Sequence, residues 1–274
     1  MPAFEPRILA LGGDELLAYD HGAHVTRWTH QAVPVVWVSD QARYEAGVAV
    51  RGGIPVCWPW FAAGPDGDRQ PSHGLVRTRA WHSLEPEADA LSWRLTHEDL
   101  DAEARATFDA EFACTLTARL EPGTLHVSLE VANRGAEDMT YEVALHTYLH
   151  VADVRAVSIA GLDGVGYYDK VHQREDTQSG DLRIDEAQDR IYHASGPVQV
   201  ADPGLQRELH VTSTGASDTV IWNPGPDGAA QMKDFGDQEW TQVVCVETAC
   251  VGSSAVHLRP GASHLTTSRI EVRT

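Results

Sequence analysis

The chain has 274 residues, of which 42% are hydrophobic and 22% charged, a composition typical of a folded globular protein rather than a disordered one. Its 40 acidic and 21 basic side chains give a formal net charge of -19 at pH 7. This charge argues against nucleic acids and anionic membranes as partners, because both would repel the chain at long range. A small anion bound in a local basic pocket remains compatible with it.

A single all-β domain can reach this length, so we expect residues 1–274 to form one domain, with two domains as the alternative. The N-terminal sequence MPAFEPRILALGGDE lacks the basic and apolar regions of a signal peptide, and no stretch is apolar enough to span a bilayer. We therefore expect a soluble, cytoplasmic monomer. Cys57, Cys114, Cys245 and Cys250 lack zinc-site spacing and are expected to be free, buried thiols.

Short runs rich in Val, Leu, Tyr, Trp and Thr recur between turn residues, which is the pattern of β-strands. In chain order they are ELLAYD, HVTRWTH, VPVVWVS, LSWRLTH, FACTLTARL, LHVSLEVA, YEVALHTYLHV, AVSIAGL, RELHVTS, DTVIWN, TQVVCVETACV and LTTSRIEV. No long amphipathic helix competes with them, which excludes a parallel βαβ sheet. The sequence predicts an all-β fold, a large antiparallel sandwich of two sheets. The polar segment from Asp169 to Ser195 is predicted to be a long loop over a sheet.

A cluster of basic residues follows the aromatic stretch RGGIPVCWPWFAAGP, within SHGLVRTRAW. If this segment is a strand, its period of two places His73, Arg77 and Arg79 on one face. Arg51 precedes two glycines that permit close backbone approach. Because a guanidinium binds phosphate through two parallel hydrogen bonds, these residues indicate an anionic ligand. Stacking of each arginine on an aromatic ring is the structural alternative.

The run YEVALHTYLHV is predicted to be one strand with an apolar face and a polar face. The polar face carries Glu142, His146, Tyr148 and His150. A solvated sheet face is one interpretation of this pattern. The H-x-x-x-H spacing would also place the two histidines on one side of a helix as a zinc pair, although no third ligand accompanies them.

The run TQVVCVETACV is apolar at both parities, which predicts a central strand covered on both faces, with Glu247 inside it. A buried carboxylate costs several kcal/mol unless it is paired, hydrogen-bonded or neutralised. Glu247 is therefore a candidate functional residue in a cleft. An ion pair with an arginine is the structural alternative.

The motifs RGGIPVCWPWF, HG followed by Arg, ALHTYLHV, DRIY, WNPG and VCVETA occur in the order seen in the hexose-6-phosphate mutarotases. The chain thus resembles the glucose-6-phosphate 1-epimerase branch of the aldose 1-epimerase family between about Arg51 and Ala249. The resemblance implies a galactose mutarotase-like β-supersandwich, a concave cleft, a hexose 6-phosphate substrate and a reaction without a cofactor or metal.

The same resemblance implies a role for each matching residue. His146 corresponds to the family's general acid and Glu247 to its general base, which together open and reclose the sugar ring. We expect Glu247 to be ionised and His146 protonated, since opposite charges in proximity favour both.

His73 and Asp189 correspond to residues that hold the sugar, and Arg51 and Arg77 to the arginines of the phosphosugar branch; Arg79 has no counterpart. The chain departs from the family in WPWFAAGPDGDRQPSHG and MKDFGDQEW, both of which we expect to border the cleft. Two other functions remain open. One is a sugar-phosphate-binding protein without catalysis, and the other is an epimerase of neutral aldoses.

Overall fold

Antiparallel strands make up most of the regular structure of residues 4–274, which are the residues that the computed structural model describes. Residues 1–3, the start of the single domain expected from the sequence, lie outside this range. The strands in chain order are β1 (Arg7–Leu11), β2 (Asp14–Tyr19), β3 (His24–His30), β4 (Val33–Pro34), β5 (Val56–Cys57), β6 (His82–Ser83), β7 (Ala90–Thr96), β8 (Phe112–Glu121), β9 (Thr124–Asn133), β10 (Met139–Tyr141), β11 (Val143–Leu145), β12 (Tyr148–His150), β13 (Ser158–Ala160), β14 (Gly166–Asp169), β15 (Arg174–Thr177), β16 (Gln188–Tyr192), β17 (Val198–Asp202), β18 (Arg207–Thr214), β19 (Asp218–Asn223), β20 (Val243–Cys250), β21 (Val256–Leu258) and β22 (Ser263–Arg273).

Helices in the described residues are short. They are α1 (Ala102–Thr107), α2 (Gly225–Gln231) and the 3-10 turns His97–Asp99, Val154–Ala156, Glu239–Gln242 and Gly252–Ser254. Within residues 4–274, none of them has the length and apolar character needed to cross a lipid bilayer.

Two eight-stranded sheets form most of the fold. Sheet I has the order β15-β14-β16-β19-β20-β11-β5, with β12 also paired to β20, and sheet II has the order β13-β17-β18-β22-β9-β8-β7-β6. Strands β1 to β4 form a smaller sheet, and β10 pairs with β21. Side chains of both large sheets, such as Val246 of sheet I and Leu116 of sheet II, belong to one continuous buried cluster. The predicted all-β antiparallel sandwich is therefore confirmed.

Strand β20 lies inside sheet I and is covered on both faces, as its apolar pattern predicts. All eight of its residues are buried, and it pairs with β19 on one side and with β11 and β12 on the other. The four cysteines are free and buried, also as expected. Glu247 thus lies on a fully buried strand and is only 1% exposed.

The run YEVALHTYLHV is not the single strand that the sequence predicts. It is divided among β10, β11 and β12, and only the last two belong to sheet I. One break falls at Glu142, whose carboxylate accepts hydrogen bonds from the Phe61 and Gly252 amides at 2.9 and 2.6 Å. The other falls at His146 and Thr147, where the Thr147 amide bonds back to the Leu145 carbonyl at 2.9 Å. Hydrogen bonds outside the strand ladder are therefore made at both breaks, and at Glu142 they join segments that are distant in sequence.

The segment from Asp169 to Ser195 is also not the continuous loop that the sequence predicts. It contains β15 and β16, and β16 lies within sheet I between β14 and β19. The polar side chains that make β16 look like a loop in the sequence have partners on the neighbouring strand. Arg190 packs over the Tyr167 ring at 4.6 Å and forms an ion pair with Asp169 at 3.3 Å.

The segment SHGLVRTRAW, in turn, is not a strand. It consists of turns, with isolated bridges at Gly74 and Ala80, and Leu75 faces the core. A period-two argument therefore does not apply to His73, Arg77 and Arg79.

The shared core predicts that a buried leucine contributes more to the free energy of unfolding than an exposed one. Leu116 on β8 is 0% exposed, whereas Leu265 on β22 is 52% exposed. Leu116→Ala should lower the free energy of unfolding by about 3 kcal/mol through lost burial and a residual cavity. Leu265→Ala should change it by less than about 0.5 kcal/mol. Urea unfolding of both variants tests this, and similar losses would contradict the position of the core.

Candidate active site

A cavity of about 320 Å³ on sheet I brings together the six side chains for which the sequence suggests a role. The lining residues are Arg51, Phe61, Ser72, His73, Arg77, His146, Tyr148, Lys170, Asp189, Trp222, Met232 and Glu247. His150 and Arg79 are not among them. The structure therefore places all six residues around one cavity, and their individual roles stay predictions.

Strand register explains why residues so distant in sequence share this cavity. Directly paired residues of an antiparallel ladder point to the same face of the sheet. Asp189 pairs with Trp222, Trp222 with Cys245, and Cys245 with Tyr148. Glu247 lies two residues beyond Cys245 on β20 and therefore points to the same face. These side chains form a row across four strands, which we call the cavity row.

His146 and Glu247 form a close pair at the base of the cavity. His146 Nε2 lies 3.3 Å from Glu247 Oε1, and both residues are buried. The Tyr148 ring stacks on the imidazole with centroids 4.7 Å apart and an interplanar angle of 13°. Within residues 4–274, neither Glu247 oxygen nor His146 Nδ1 has a hydrogen-bond partner. The pair therefore presents polar atoms that a substrate hydroxyl could satisfy.

Burial sets the protonation of this pair in a direction opposite to the sequence-based expectation. It raises the pKa of Glu247 well above its usual range and lowers the pKa of His146 well below its usual range. Removal of water penalises each charged form more than the facing residue favours it. The structure thus supports a neutral acid beside a neutral imidazole rather than an ion pair. The two forms contain the same number of protons and differ by one proton moved between the residues.

Arg51 is held by groups on both sides of its guanidinium. Its Nη1 donates to the Tyr148 hydroxyl at 3.1 Å, and its Nη2 lies 3.3 Å from a carboxylate oxygen of Asp234. Asp234 belongs to MKDFGDQEW, and Met232 of the same segment lines the cavity, so this departure from the family does border the site. The Tyr148 contact joins Arg51 to the ring that stacks on His146.

The turn after Arg51 depends on two glycines. Gly53 has φ +74°, and a Cβ there would lie 2.4 Å from His24 Nε2. His24 is fully buried, and its Nε2 donates to the Gly52 carbonyl at 2.8 Å. Burial lowers the pKa of His24 to about 3, so the ring is neutral and holds this turn without adding charge. The backbone that presents Arg51 is therefore closely packed.

His73 and Arg77 reach the cavity from a loop rather than from one strand face. The Ala62 amide donates to His73 Nδ1 at 3.3 Å, which leaves Nε2 as the protonated nitrogen of the neutral ring. Burial lowers the pKa of His73 to about 3. Arg77 Nη2 donates to the Ser72 carbonyl at 2.9 Å. Ser72 and Phe61 also line the cavity, so the second departure from the family borders it too.

Arg79 corrects the prediction that three basic residues of this loop share one face. Its Nη1 lies 2.9 Å from Asp101 Oδ2, and Asp101 caps the N-terminus of α1. Because the loop turns between Arg77 and Arg79, the second arginine points away from the cavity.

The structure also decides between the alternatives for the polar strand and for Glu247. A solvated sheet face is wrong, because Glu142, His146 and Tyr148 are all buried. The H-x-x-x-H segment is extended rather than helical, and His150 lies outside the cavity. Within residues 4–274, no group of three or more His, Cys, Asp or Glu side chains could hold a metal ion. The same residues include no ion pair between Glu247 and an arginine.

Sequence reasoning missed several lining residues, of which Lys170 carries a charge. Lys170 lies at the start of the segment predicted to be a loop, and its Nζ is 2.9 Å from Asp189 Oδ2. Trp222 lies in the motif WNPG, and Met232 is the first residue of the segment MKDFGDQEW. The available signal was that the chain has only two lysines, Lys170 and Lys233.

Comparison with known proteins identifies relatives along nearly the whole chain. The family model described as aldose 1-epimerase matches residues 12–271. The "Putative glucose-6-phosphate 1-epimerase" of Escherichia coli K12 is 33% identical over 257 residues, which are 90% of this chain and 83% of that protein. The protein of the same name from Salmonella typhimurium is 34% identical over 234 residues, which are 83% of this chain and 76% of that protein.

A solved structure from Salmonella typhimurium, described as a "putative mutarotase", superposes with a TM-score of 0.87. It is 24% identical and covers 100% of this chain and 95% of that chain. This likeness confirms the galactose mutarotase-like fold that the sequence motifs imply.

The protonation of Glu247 can be tested through stability. Because burial raises its pKa, the native state keeps a proton that the unfolded chain releases above pH ~4.3. Stability from this group should fall as the pH rises from there through the raised folded pKa. Glu247→Gln removes the proton, so the Tm of the variant relative to wild type should increase with pH. Thermal unfolding between about pH 5 and about pH 9 measures this. Parallel curves would indicate an ionised Glu247.

Proposed function

The chain belongs to the aldose 1-epimerase family, and from that premise we propose that it is a glucose-6-phosphate 1-epimerase. In this reaction the α and β anomers of a hexose 6-phosphate interconvert through the open-chain aldehyde. One observation carries the proposal: the His146–Glu247 pair and the guanidinium groups of Arg51 and Arg77 line the same cavity of about 320 Å³.

The chemistry needs one group that accepts a proton and one that donates a proton. Glu247 takes the proton of the anomeric hydroxyl, and His146 delivers a proton to the ring oxygen. The C1–O5 bond breaks, rotation about C1–C2 exposes the other face of the aldehyde, and closure gives the other anomer. At 3.3 Å the pair needs to relocate only one proton to pass from its neutral form to the form that begins this cycle.

The basic residues support a phosphorylated substrate. Arg51 already has Asp234 as a partner, but the ion pairs of residues 4–274 include none to Arg77. A phosphate would supply the missing counter-charge, and guanidinium groups bind it through paired hydrogen bonds. In this proposal Asp189 and the protonated Nε2 of His73 hold hydroxyl groups of the sugar. The names of the relatives at 33% and 34% identity agree with this substrate.

An epimerase of neutral aldoses is a second candidate, favoured by the Arg51–Asp234 pair, which leaves that guanidinium satisfied without a phosphate. The rate at which pure α-glucose 6-phosphate equilibrates, with and without protein, tests the proposal, and α-glucose is the comparison substrate. A higher kcat/KM for glucose than for glucose 6-phosphate would select the neutral-sugar activity. Binding of the phosphosugar without faster equilibration would indicate a non-catalytic protein.

Single substitutions test whether Glu247 and His146 are the base and the acid. Glu247→Gln and His146→Asn should each slow anomer exchange by on the order of a hundredfold or more, because each removes one proton-transfer step. His150→Asn is the control, since His150 lies close in sequence but outside the cavity. NMR line-shape or polarimetric assays of the folded variants measure the effect. Retained activity in folded Glu247→Gln would make Glu247 a structural residue.

The phosphate contacts should affect binding rather than chemistry. The phosphate is remote from C1, so its contacts are nearly equal in the ground and transition states. Arg51→Met and Arg77→Met should therefore raise KM for glucose 6-phosphate by roughly ten- to a hundredfold and change kcat little. Arg79→Met, from the same loop but paired with Asp101, should leave KM unchanged. Equal effects of all three substitutions would point to net charge rather than a phosphate site.

A further inference from the structure

Lys170 is a charged member of the cavity wall that has no role in the reaction described above. It follows β14 directly, and its amide donates to the Asp189 carbonyl at 2.8 Å. Its Nζ lies 2.9 Å from Asp189 Oδ2. The two residues are thus joined through both backbone and side chain.

The register of sheet I places Lys170 at the end of the cavity row. Asp169 pairs with Arg190, so the next position, Lys170, lies opposite Asp189. Paired positions share a face of the sheet, and Lys170 therefore extends the row that continues through Asp189 and Trp222. Its orientation into the cavity follows from the strand pairing.

The ammonium group of Lys170 is held on two sides. Besides Asp189, it lies 5.3 Å from the centroid of the Phe61 ring, within the range of a cation–π contact. Burial raises the pKa of Asp189, and the nearby Lys170 opposes that rise. Lys170 therefore offsets part of the effect of burial on this carboxyl group.

Lys170 and Tyr148, the partner of Arg51, belong to opposite ends of the cavity row. Arg51 bonds to Tyr148 on β12, at the far end of the cavity row. Four strand spacings separate β14 from β12, which amounts to ~19 Å along the sheet at about 4.8 Å per spacing. A phosphate bound by Arg51 is therefore expected nearer to β12 than to β14.

Resting on the proposed function, we propose that Lys170 is a positioning residue for the sugar end of the substrate. Its ammonium, 2.9 Å from Asp189 Oδ2, holds that carboxyl group in one orientation in the cavity, where Asp189 accepts hydrogen bonds from ring hydroxyls. Lys170 acts through Asp189 and does not bind the phosphate.

The test uses Lys170→Met, the conservative Lys170→Arg and the control Lys233→Met. Lys233 is the other lysine of the chain and is exposed, so its substitution removes the same charge outside the cavity. We expect Lys170→Met to raise KM for α-glucose 6-phosphate about tenfold, a loss of the size expected for one charge-assisted hydrogen bond. Lys170→Arg should recover most of that loss, and Lys233→Met should match wild type.

Two further measurements separate this role from the alternatives. The inhibition constant of inorganic phosphate should stay within about twofold of wild type in Lys170→Met, since the phosphate contacts remain. In the Asp189→Asn background, adding Lys170→Met should change KM by less than about twofold, because the lysine then has no carboxylate to position. Thermal unfolding verifies that each variant is folded, and Lys170→Gln provides a second neutral variant.

Each remaining outcome overturns the proposal. Weaker inhibition by phosphate in Lys170→Met would make Lys170 a phosphate ligand, and an unchanged KM would give it no part in binding. A full additional loss in the Asp189→Asn background would show that it acts independently of Asp189. Failure of wild-type protein to accelerate exchange would instead refute the proposed function, and this result is seen without any variant.

Discussion

The burial of Glu247 in the central strand of sheet I is the constraint around which the site is arranged. Glu247 is only 1% exposed, although its carboxyl group lines the cavity. An acid in such a position is neutral unless a nearby group stabilises its charge. Among residues 4–274, the titratable group in close contact is His146, itself buried, so protonation of either residue depends on the other. The fold thus creates a pair with one exchangeable proton.

The remaining charges of the cavity are mostly compensated in place. Arg51 is paired with Asp234, and Lys170 with Asp189, so two of the three cations carry their own counter-charge. Arg77 is hydrogen-bonded only to a carbonyl within the described residues. On a chain of net charge -19, this leaves one local position where an anion is favoured. Long-range repulsion and local attraction are compatible because they act over different distances.

Much of the fold, and part of the site, could be predicted from the sequence. Strand β20 was recognisable because apolar residues at both parities indicate cover on both faces, which also marked Glu247 as unusual. Strand β16 was not recognisable, because Asp189 and Arg190 make its sequence look like a polar loop. Their partners Tyr167, Asp169 and Lys170 lie on β14 or directly after it. Local patterns reveal burial, but they do not reveal which strand lies beside which.

The difference between local patterns and long-range contacts also explains where the sequence-based predictions for the site were wrong. The breaks at Glu142 and His146 arise from hydrogen bonds to Phe61, Gly252 and Pro55, none of which is near in sequence. Lys170 enters the cavity only because β14 pairs with β16 in one particular register.

The direction of the two pKa shifts bears on how such a site would serve a reversible reaction. Mutarotation has no preferred direction for the catalyst, since each anomer is substrate and product in turn. A fixed ion pair would keep the proton on His146 and make its return to Glu247 less favourable. Because burial disfavours both charges, the His146–Glu247 pair is not fixed as an ion pair, and its two forms differ by one proton moved across a 3.3 Å contact. Ring opening from either anomer would then require the same transfer of one proton within the pair, which the fold favours by dehydration rather than by any additional charge.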